Sequence, residues 1–110
     1  MNLQERLMAD LKDAMRTQDV PRKEAIRMVR AAIQNAQIAA QRELTDDEVL
    51  ALIAREIRMR NEAIELFRQG KRDDLVVQEE AQVIILKRYL PQQLSREEVV
   101  EIVRRIVEQM

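Results

Sequence analysis

The fold is decided by residues Arg42–Leu94, which read RELTDDEVLALIAREIRMRNEAIELFRQGKRDDLVVQEEAQVIILKRYLPQQL. Within this stretch, residues 45–48 (TDDE) form a capping-box pattern, which predicts that a helix begins there. Gly70 is the C′ residue expected where that helix ends. Residues 89–91 (YLP) predict the end of a further helix, because proline cannot continue one. The short connection around Gly70 favours an antiparallel pairing of these two helices.

The flanking sequence predicts three more helices. Leucine and methionine recur along one side of the first, Pro21 suits the opening position of the second, and residues 95–98 (SREE) form another capping box. The five predicted helices are Leu3–Gln18, Pro21–Gln41, Thr45–Gly70, Asp73–Leu90 and one from Ser95 to the last residue. We therefore expect an all-α fold, an antiparallel helical domain of about four helices plus a fifth C-terminal helix.

Composition supports this fold class. The chain has 110 residues, the size of one ordinary domain, and only one glycine and two prolines. Apolar residues make up 46% but aromatic residues only 2%, so the core must consist mainly of aliphatic side chains.

The sequence gives little support for an enzyme or a metal-binding protein. The chain contains no cysteine and no histidine, which removes disulfides, thiolate chemistry and the commonest zinc ligand. The acids at residues 46–48 and 73–74 are explained as helix N-termini, and Thr45 and Ser95 as caps. We predict no catalytic residue, no metal site and no cofactor.

The sequence also suggests a cellular location. Residues 1–18 are amphipathic but contain three acidic side chains, unlike a signal peptide or a mitochondrial presequence. The longest apolar run, Val49–Ala54, is too short to span a membrane. We expect a soluble cytoplasmic protein that does not contact membranes.

Charge is segregated along the chain despite a net charge of −1. Residues 21–42 and 55–72 are basic, whereas residues 43–54 and 73–86 are acidic. One stripe of the second predicted helix holds cations and amides but no acid. This stripe, the helix-two ribbon, consists of Lys23, Arg27, Arg30, Gln34, Gln37 and Gln41.

The helix-two ribbon has three interpretations. It is a solvated face that pairs with the acidic blocks, a surface that contacts RNA phosphates, or a protein interface. As an RNA site it would comprise Lys23, Arg27, Arg30 and Gln34, with Arg55 and Arg58 on the neighbouring helix. The scarcity of aromatic residues argues against base stacking and favours recognition of folded RNA by shape and backbone.

Two charged residues interrupt apolar stripes. Arg60 falls in the stripe Val49, Ile53, Ile57, Ile64 and Phe67, and Glu79 shares a face with Leu75, Val83, Leu86 and Leu90. A buried lone charge is costly, so we predict a structural ion pair between Arg60 and Glu79, with Arg27 as the competing cation. The predicted last helix is apolar on more than one face, which suggests self-association or a missing continuation.

Together these residues resemble the YqeY-like (GatB/YqeY domain) family from about Leu3 to Leu94. The motifs that carry the resemblance are Ile26-Arg27-Met28, Ala31-Ala32-Ile33, Glu43-Leu44-Thr45 with Glu48, Glu56-Ile57 with Arg60, Phe67 with Gly70 to Leu75, Glu79-Glu80-Ala81, and Tyr89 to Leu94.

The resemblance implies an N-terminal helical domain, residues 1–94, followed by the start of a smaller C-terminal helical part, residues 95–110, apparently truncated. It also implies a relationship to the tail of the B subunit of glutamine-dependent tRNA amidotransferase, a tail associated with tRNA recognition. We therefore expect a non-catalytic module that binds tRNA or an amidotransferase complex. The alternative is a protein-interaction module without nucleic acid. A carbon–nitrogen ligase activity with glutamine as amido donor rests on the family label alone.

Overall fold

The computed structural model describes residues 2–91, together with Arg104 and Glu108. The described chain forms four α-helices and contains no strand, which confirms the all-α prediction. The helices are α1 (Leu3–Arg16), α2 (Val20–Ala40), α3 (Asp46–Gln69) and α4 (Asp73–Lys87).

Side-chain caps explain where the first three helices begin. Asn2 accepts a hydrogen bond from the backbone N–H of Glu5, and Asp19 accepts one from that of Arg22. At α3 the predicted capping box is complete: Thr45 accepts from the Glu48 N–H, and the Glu48 carboxylate accepts from the Thr45 N–H. The α4 N-terminus has no side-chain cap.

Helices α1, α2 and α3 are each followed by a residue with a left-handed backbone, and none of these residues is glycine. Gln18, Gln41 and Lys71 have φ angles of 58°, 56° and 57°. After α3, the Arg72 N–H donates to the Phe67 carbonyl at 2.8 Å and the Lys71 N–H donates to the Arg68 carbonyl at 3.1 Å. These two bonds define a Schellman motif, whose C′ position is left-handed.

The expectation that Gly70 provides this C′ position is therefore wrong. Gly70 has a φ of −83°, which any residue can adopt, and Lys71 is the left-handed residue. The chain continues helically for one residue more than the glycine signal indicates. The Schellman hydrogen bonds outweigh the cost of placing lysine in that conformation.

The helices pack around one aliphatic core. Helices α1 and α2 are antiparallel, because Gln4 contacts Gln37 at one end of the pair and Asp13 contacts Arg22 at the other. Helices α3 and α4 pack most extensively, and α4 also lies against α2. The buried apolar residues are Leu7, Leu11, Ala14, Ala25, Ile26, Val29, Ile33, Val49, Ile53, Ile57, Ile64, Val76, Val83, Ile85, Leu86 and Tyr89.

The predicted apolar stripe of α3 is buried except for Phe67, which is partly buried, and Arg60 lies within it. On α2, Ile26, Val29 and Ile33 are buried, whereas Ala40 at the end of the helix is exposed. Helix α4 differs more. Its buried face includes Val76, Gln82 and Ile85 besides Val83 and Leu86, and the helix ends at Lys87 rather than Leu90.

Other predictions fall on residues that the structure does not describe. The domain boundary after residue 94 and the apolar surface of the last helix lie there. The fifth helix lies there too, apart from Arg104 and Glu108, which are helical and exposed. Among the described residues, none of the helices combines the length and the apolar character needed to cross a membrane.

Candidate functional site

A groove with a volume of about 790 Å³ lies between α1 and α2. Its floor includes Leu7, Leu11 and Ile33, which are all buried core residues. One wall is formed by the part of the helix-two ribbon that lies beside this floor, because residues three and four positions apart share one side of a helix. The ribbon residues that line the groove are Arg27, Arg30, Gln34 and Gln37.

Gln37 holds the two helices together at one end of this groove. Its Oε1 accepts a hydrogen bond from Gln4 Nε2 at 2.9 Å and another from the Leu44 backbone N–H at 3.1 Å. Gln37 therefore has a structural role, and it leaves Arg27, Arg30 and Gln34 as the polar groups available along that wall.

The ribbon cations carry no salt bridge within the described residues. Arg27 is exposed, Lys23 and Arg30 are half-buried, and none of the three makes an ion pair or a side-chain hydrogen bond there. The acids that form ion pairs within the described residues do so with other cations. Their ion pairs are Asp13 with Arg16 and Arg22, Asp19 with Arg22, Glu48 with Arg42, Glu56 and Glu79 with Arg60, Glu65 and Glu80 with Arg68, and Asp74 with Arg72. The acidic blocks thus do not neutralise the helix-two ribbon.

The remaining predicted RNA contacts do not converge on the groove. Lys23 is half-buried and Arg55 and Arg58 are exposed, but none of them lines the groove. Two carboxylates, those of Glu5 and Glu43, do line it. Any polyanion in this groove therefore has to approach along the α2 wall.

Two acids outside the groove, Glu48 and Asp13, are held by ion pairs with nearby arginines. Arg42 donates two hydrogen bonds of 2.8 Å to Glu48, and the Thr45 N–H donates a third at 3.0 Å. These contacts lower the pKa of Glu48 to about 2, and the hydrogen bonds from Arg42 make the largest contribution. Hydrogen bonds from Arg22 and then Arg16 likewise hold the pKa of Asp13 below its usual value.

A second pocket of about 480 Å³ lies among α2, α3 and α4, beside Arg60. The Arg60 side chain is only 6% exposed. Its Nη1 donates to the Glu56 carboxylate at 2.6 Å and its Nε donates to Gln82 Oε1 at 3.0 Å. The Nε lies 3.9 Å from Glu79 Oε2, too far for a hydrogen bond.

The sequence prediction named Glu79 as the partner of Arg60 and missed Glu56 and Gln82. Glu56 lies four residues before Arg60 on the same helix, a spacing that could have suggested the pair. Gln82 is neutral, so the expectation that a buried arginine pairs with an opposite charge does not indicate it. Arg27, the competing cation, lines this pocket too, but it forms no ion pair with Glu79.

The α1/α2 groove offers guanidinium and amide donors beside an apolar floor. Such donors can contact phosphate, sugar or carbonyl oxygens, and they supply no nucleophile or proton carrier. Within residues 2–91, no group of three or more acidic side chains is arranged so that it could hold a metal ion.

Comparison with known proteins supplies a family and named relatives. The family model described as Yqey-like protein matches residues 4–110. A protein of Pyrenophora tritici-repentis named "Altered inheritance of mitochondria protein 41, mitochondrial" is 43% identical over 84 residues, which cover 76% of this chain and 46% of that protein. Proteins of the same name from Saccharomyces cerevisiae and Lachancea thermotolerans are 38% and 40% identical over 87 residues.

The chain spans about half the length of these curated relatives. The matches to the Saccharomyces cerevisiae and Lachancea thermotolerans proteins cover 78% of this chain. The names contradict the expected cytoplasmic location, because all three relatives are named as mitochondrial proteins. That expectation rested on the acidic side chains of residues 1–18. In the structure this segment is mainly α1, whose packing in the core explains its amphipathic pattern, so the pattern carries no information about the compartment.

Proposed function

The chain belongs to the Yqey-like protein family, and from this premise we propose that it is a non-catalytic helical module that binds tRNA. In this proposal the α2 wall of the α1/α2 groove contacts the RNA backbone, and the module serves as an accessory to tRNA-dependent amidation. The link to amidation comes from the family resemblance to the amidotransferase tail.

One observation carries the proposal: Arg27 and Arg30 lie on one wall of an open groove without an acidic partner among the described residues. An arginine that is already paired has to break an ion pair before it can bind phosphate. Arg27 and Arg30 have no such pair to break, and their guanidinium groups match the geometry of phosphate oxygens. Gln34 on the same wall can donate a further hydrogen bond to phosphate or sugar.

The proposal is tested by measuring the binding of total tRNA across a salt series. The unmodified chain is expected to bind at low salt, with an affinity that falls steeply as salt rises. Arginine side chains that bind phosphates release counterions from the RNA, and this release is less favourable at high salt. The variant Arg27→Glu/Arg30→Glu is expected to lose this binding.

The matched control is Lys12→Glu/Lys87→Glu. It changes the net charge of the chain by the same amount, but at two exposed lysines that do not line the groove. If the control loses binding as completely as the arginine variant, only overall charge matters and the groove is not the site. Absence of binding at low salt by a chain that is folded by circular dichroism would overturn the proposal.

A second candidate function, a protein-interaction module without nucleic acid, is favoured by the apolar floor of the same groove. Leu7, Leu11, Ile33 and Ala31 line it, and an amphipathic helix can bury its apolar face on such a floor. Binding of a protein that persists at high salt, with no tRNA bound at low salt, would support this candidate. We expect no glutamine-dependent amidation by the isolated chain.

A further inference from the structure

The pocket beside Arg60 is lined by five charged side chains, and not all of them are hydrogen-bonded to one another. It is lined by the acids Glu24, Glu56 and Glu79 and by the cations Arg27 and Arg60. A chain of hydrogen bonds runs from Glu56 through Arg60 and Gln82 to Glu24, where Gln82 Nε2 donates to Glu24 Oε2 at 3.4 Å. This chain fixes the buried guanidinium in one orientation.

One hydrogen-bond donor in this arrangement has no partner. The Nε and Nη1 atoms of Arg60 are bonded to Gln82 and Glu56, but Nη2 donates no hydrogen bond to any described residue. The Arg60 side chain is only 6% exposed and borders the pocket. Nη2 is not among the buried side-chain atoms that lack a hydrogen-bond partner, so solvent reaches it and a ligand can too. A negatively charged acceptor would make the strongest bond with this donor.

An acceptor in the same pocket also has no hydrogen-bond donor among the described residues. The Glu79 side chain is 27% exposed and its carboxylate accepts no hydrogen bond from any described residue. The carboxylate lies 3.9 Å from Arg60 Nε. Glu24 and Glu56 line the pocket as well, so its lining has three carboxylates and two guanidinium groups, those of Arg60 and the exposed Arg27. The pocket therefore offers a site for a positively charged donor next to the site for an acceptor.

One wall of the pocket is apolar. Met28 on α2 and Met59 on α3 line it and are 56% and 48% exposed. Methionine side chains adapt to the shape of an aliphatic group that packs on them. A ligand that fits this pocket carries an anion, a cation and a short apolar portion.

We propose that the pocket beside Arg60 binds a free α-amino acid in its zwitterionic form. The carboxylate accepts from Arg60 Nη2, the ammonium group donates to Glu79, and the side chain lies against Met28 and Met59. The proposal concerns a different pocket from the proposed tRNA site, so either can fail without the other.

The test uses the methyl NMR signals of the six methionines, with leucine as the probe. Leucine is expected to shift the Met28 and Met59 methyl signals saturably at millimolar concentration and to leave that of Met8, in the α1/α2 groove, unchanged. Two analogues remove one charge each: leucinamide lacks the carboxylate and N-acetyl-leucine lacks the ammonium group. Each is expected to bind at least about tenfold more weakly, a loss of one charge-assisted contact.

The analogues are measured on the unmodified chain, so this comparison does not depend on the folding of a variant. No saturable shift with leucine, or equal binding of leucine and either analogue, would overturn the proposal. Glu79→Gln keeps the size of the side chain and is expected to abolish the leucine shift. The control Glu65→Gln changes an exposed carboxylate outside the pocket and should bind leucine like the unmodified chain.

Discussion

The phenol of Tyr89 donates a hydrogen bond to the carboxylate of Asp10, which lies 79 residues earlier in the chain. The guanidinium of Arg6 lies over the same ring, 4.7 Å from its centroid. Burial of the phenol, and then the bond to Asp10, raise the pKa of Tyr89 above its usual value. The tyrosine that follows α4 is thus attached to α1 by both its ring and its hydroxyl group.

Removal of this hydroxyl should destabilise the fold. Tyr89→Phe keeps the ring beneath Arg6 but leaves the partly buried Asp10 carboxylate without its donor, at a cost of about 1–3 kcal/mol in the free energy of unfolding. Urea denaturation measures this loss. Asp10→Asn retains an acceptor and should lose less, and equal stability of Tyr89→Phe and the unmodified chain would contradict this assignment.

The contact between Arg42 and Glu48 should make stability depend on acid pH. The pKa of Glu48 is about 2 in the folded chain, below its usual value of 4.5. Its contribution is therefore complete above the unfolded pKa and is lost as the pH falls from about 4.5 to about 2.

The variant Glu48→Gln isolates this charge, because glutamine can still complete a capping box. We expect it to be less stable than the unmodified chain at neutral pH, and the difference in thermal midpoint should shrink as the pH falls towards 2. A difference that stays constant with pH would mean that the charge of Glu48 contributes nothing.

Replacement of the single glycine should stabilise the chain. Gly70 has a φ of −83°, and a Cβ atom there would lie 3.6 Å and 3.8 Å from two backbone oxygens, in ordinary contact. Gly70→Ala should raise the free energy of unfolding by about 0.4–1 kcal/mol, since it restricts the unfolded chain. The adjacent Lys71→Gly relieves a left-handed lysine and should also stabilise, by about 0.5–1 kcal/mol. Destabilisation by Gly70→Ala in a thermal melt would show that the turn needs glycine after all.

The neutral partner of Arg60 should matter more than the charged partner that the sequence suggested. Gln82→Met removes the acceptor of the buried Arg60 Nε and should cost about 1–3 kcal/mol. Glu79→Gln removes a partly exposed charge at 3.9 Å and should cost about 0–1 kcal/mol. Gln78→Met, at an exposed position on the same helix, is the control, with an expected change within about 0.5 kcal/mol. The reverse order of the Gln82 and Glu79 effects in urea denaturation would contradict this hydrogen-bond assignment.

The accuracy of the sequence predictions differed between helices for a physical reason. Helix α3 has one apolar stripe and a capping box, so its start and its buried face, including Arg60, followed from the pattern. Helix α4 is apolar on several sides: Val77 and Ile84 are exposed while Val76 and Ile85 are buried. Periodicity cannot select the buried face of such a helix, because that choice depends on which neighbours pack against it.

The candidate site shows the same limit. The order of residues along α2 was enough to group Arg27, Arg30 and Gln34 on one stripe. The groove beside them depends on how far α1 lies from that stripe. The spacing of residues within α2 cannot predict this distance. Arg55 and Arg58 belong to the neighbouring helix in the predicted RNA site, and the structure does not bring them to the groove.

Arg27 lines both the α1/α2 groove and the pocket beside Arg60. A ligand at either proposed site that moved the Arg27 side chain would change the lining of the other site. The two proposed sites would then be thermodynamically linked. Occupancy of one would change the affinity of the other, and the reciprocal effect would have the same magnitude.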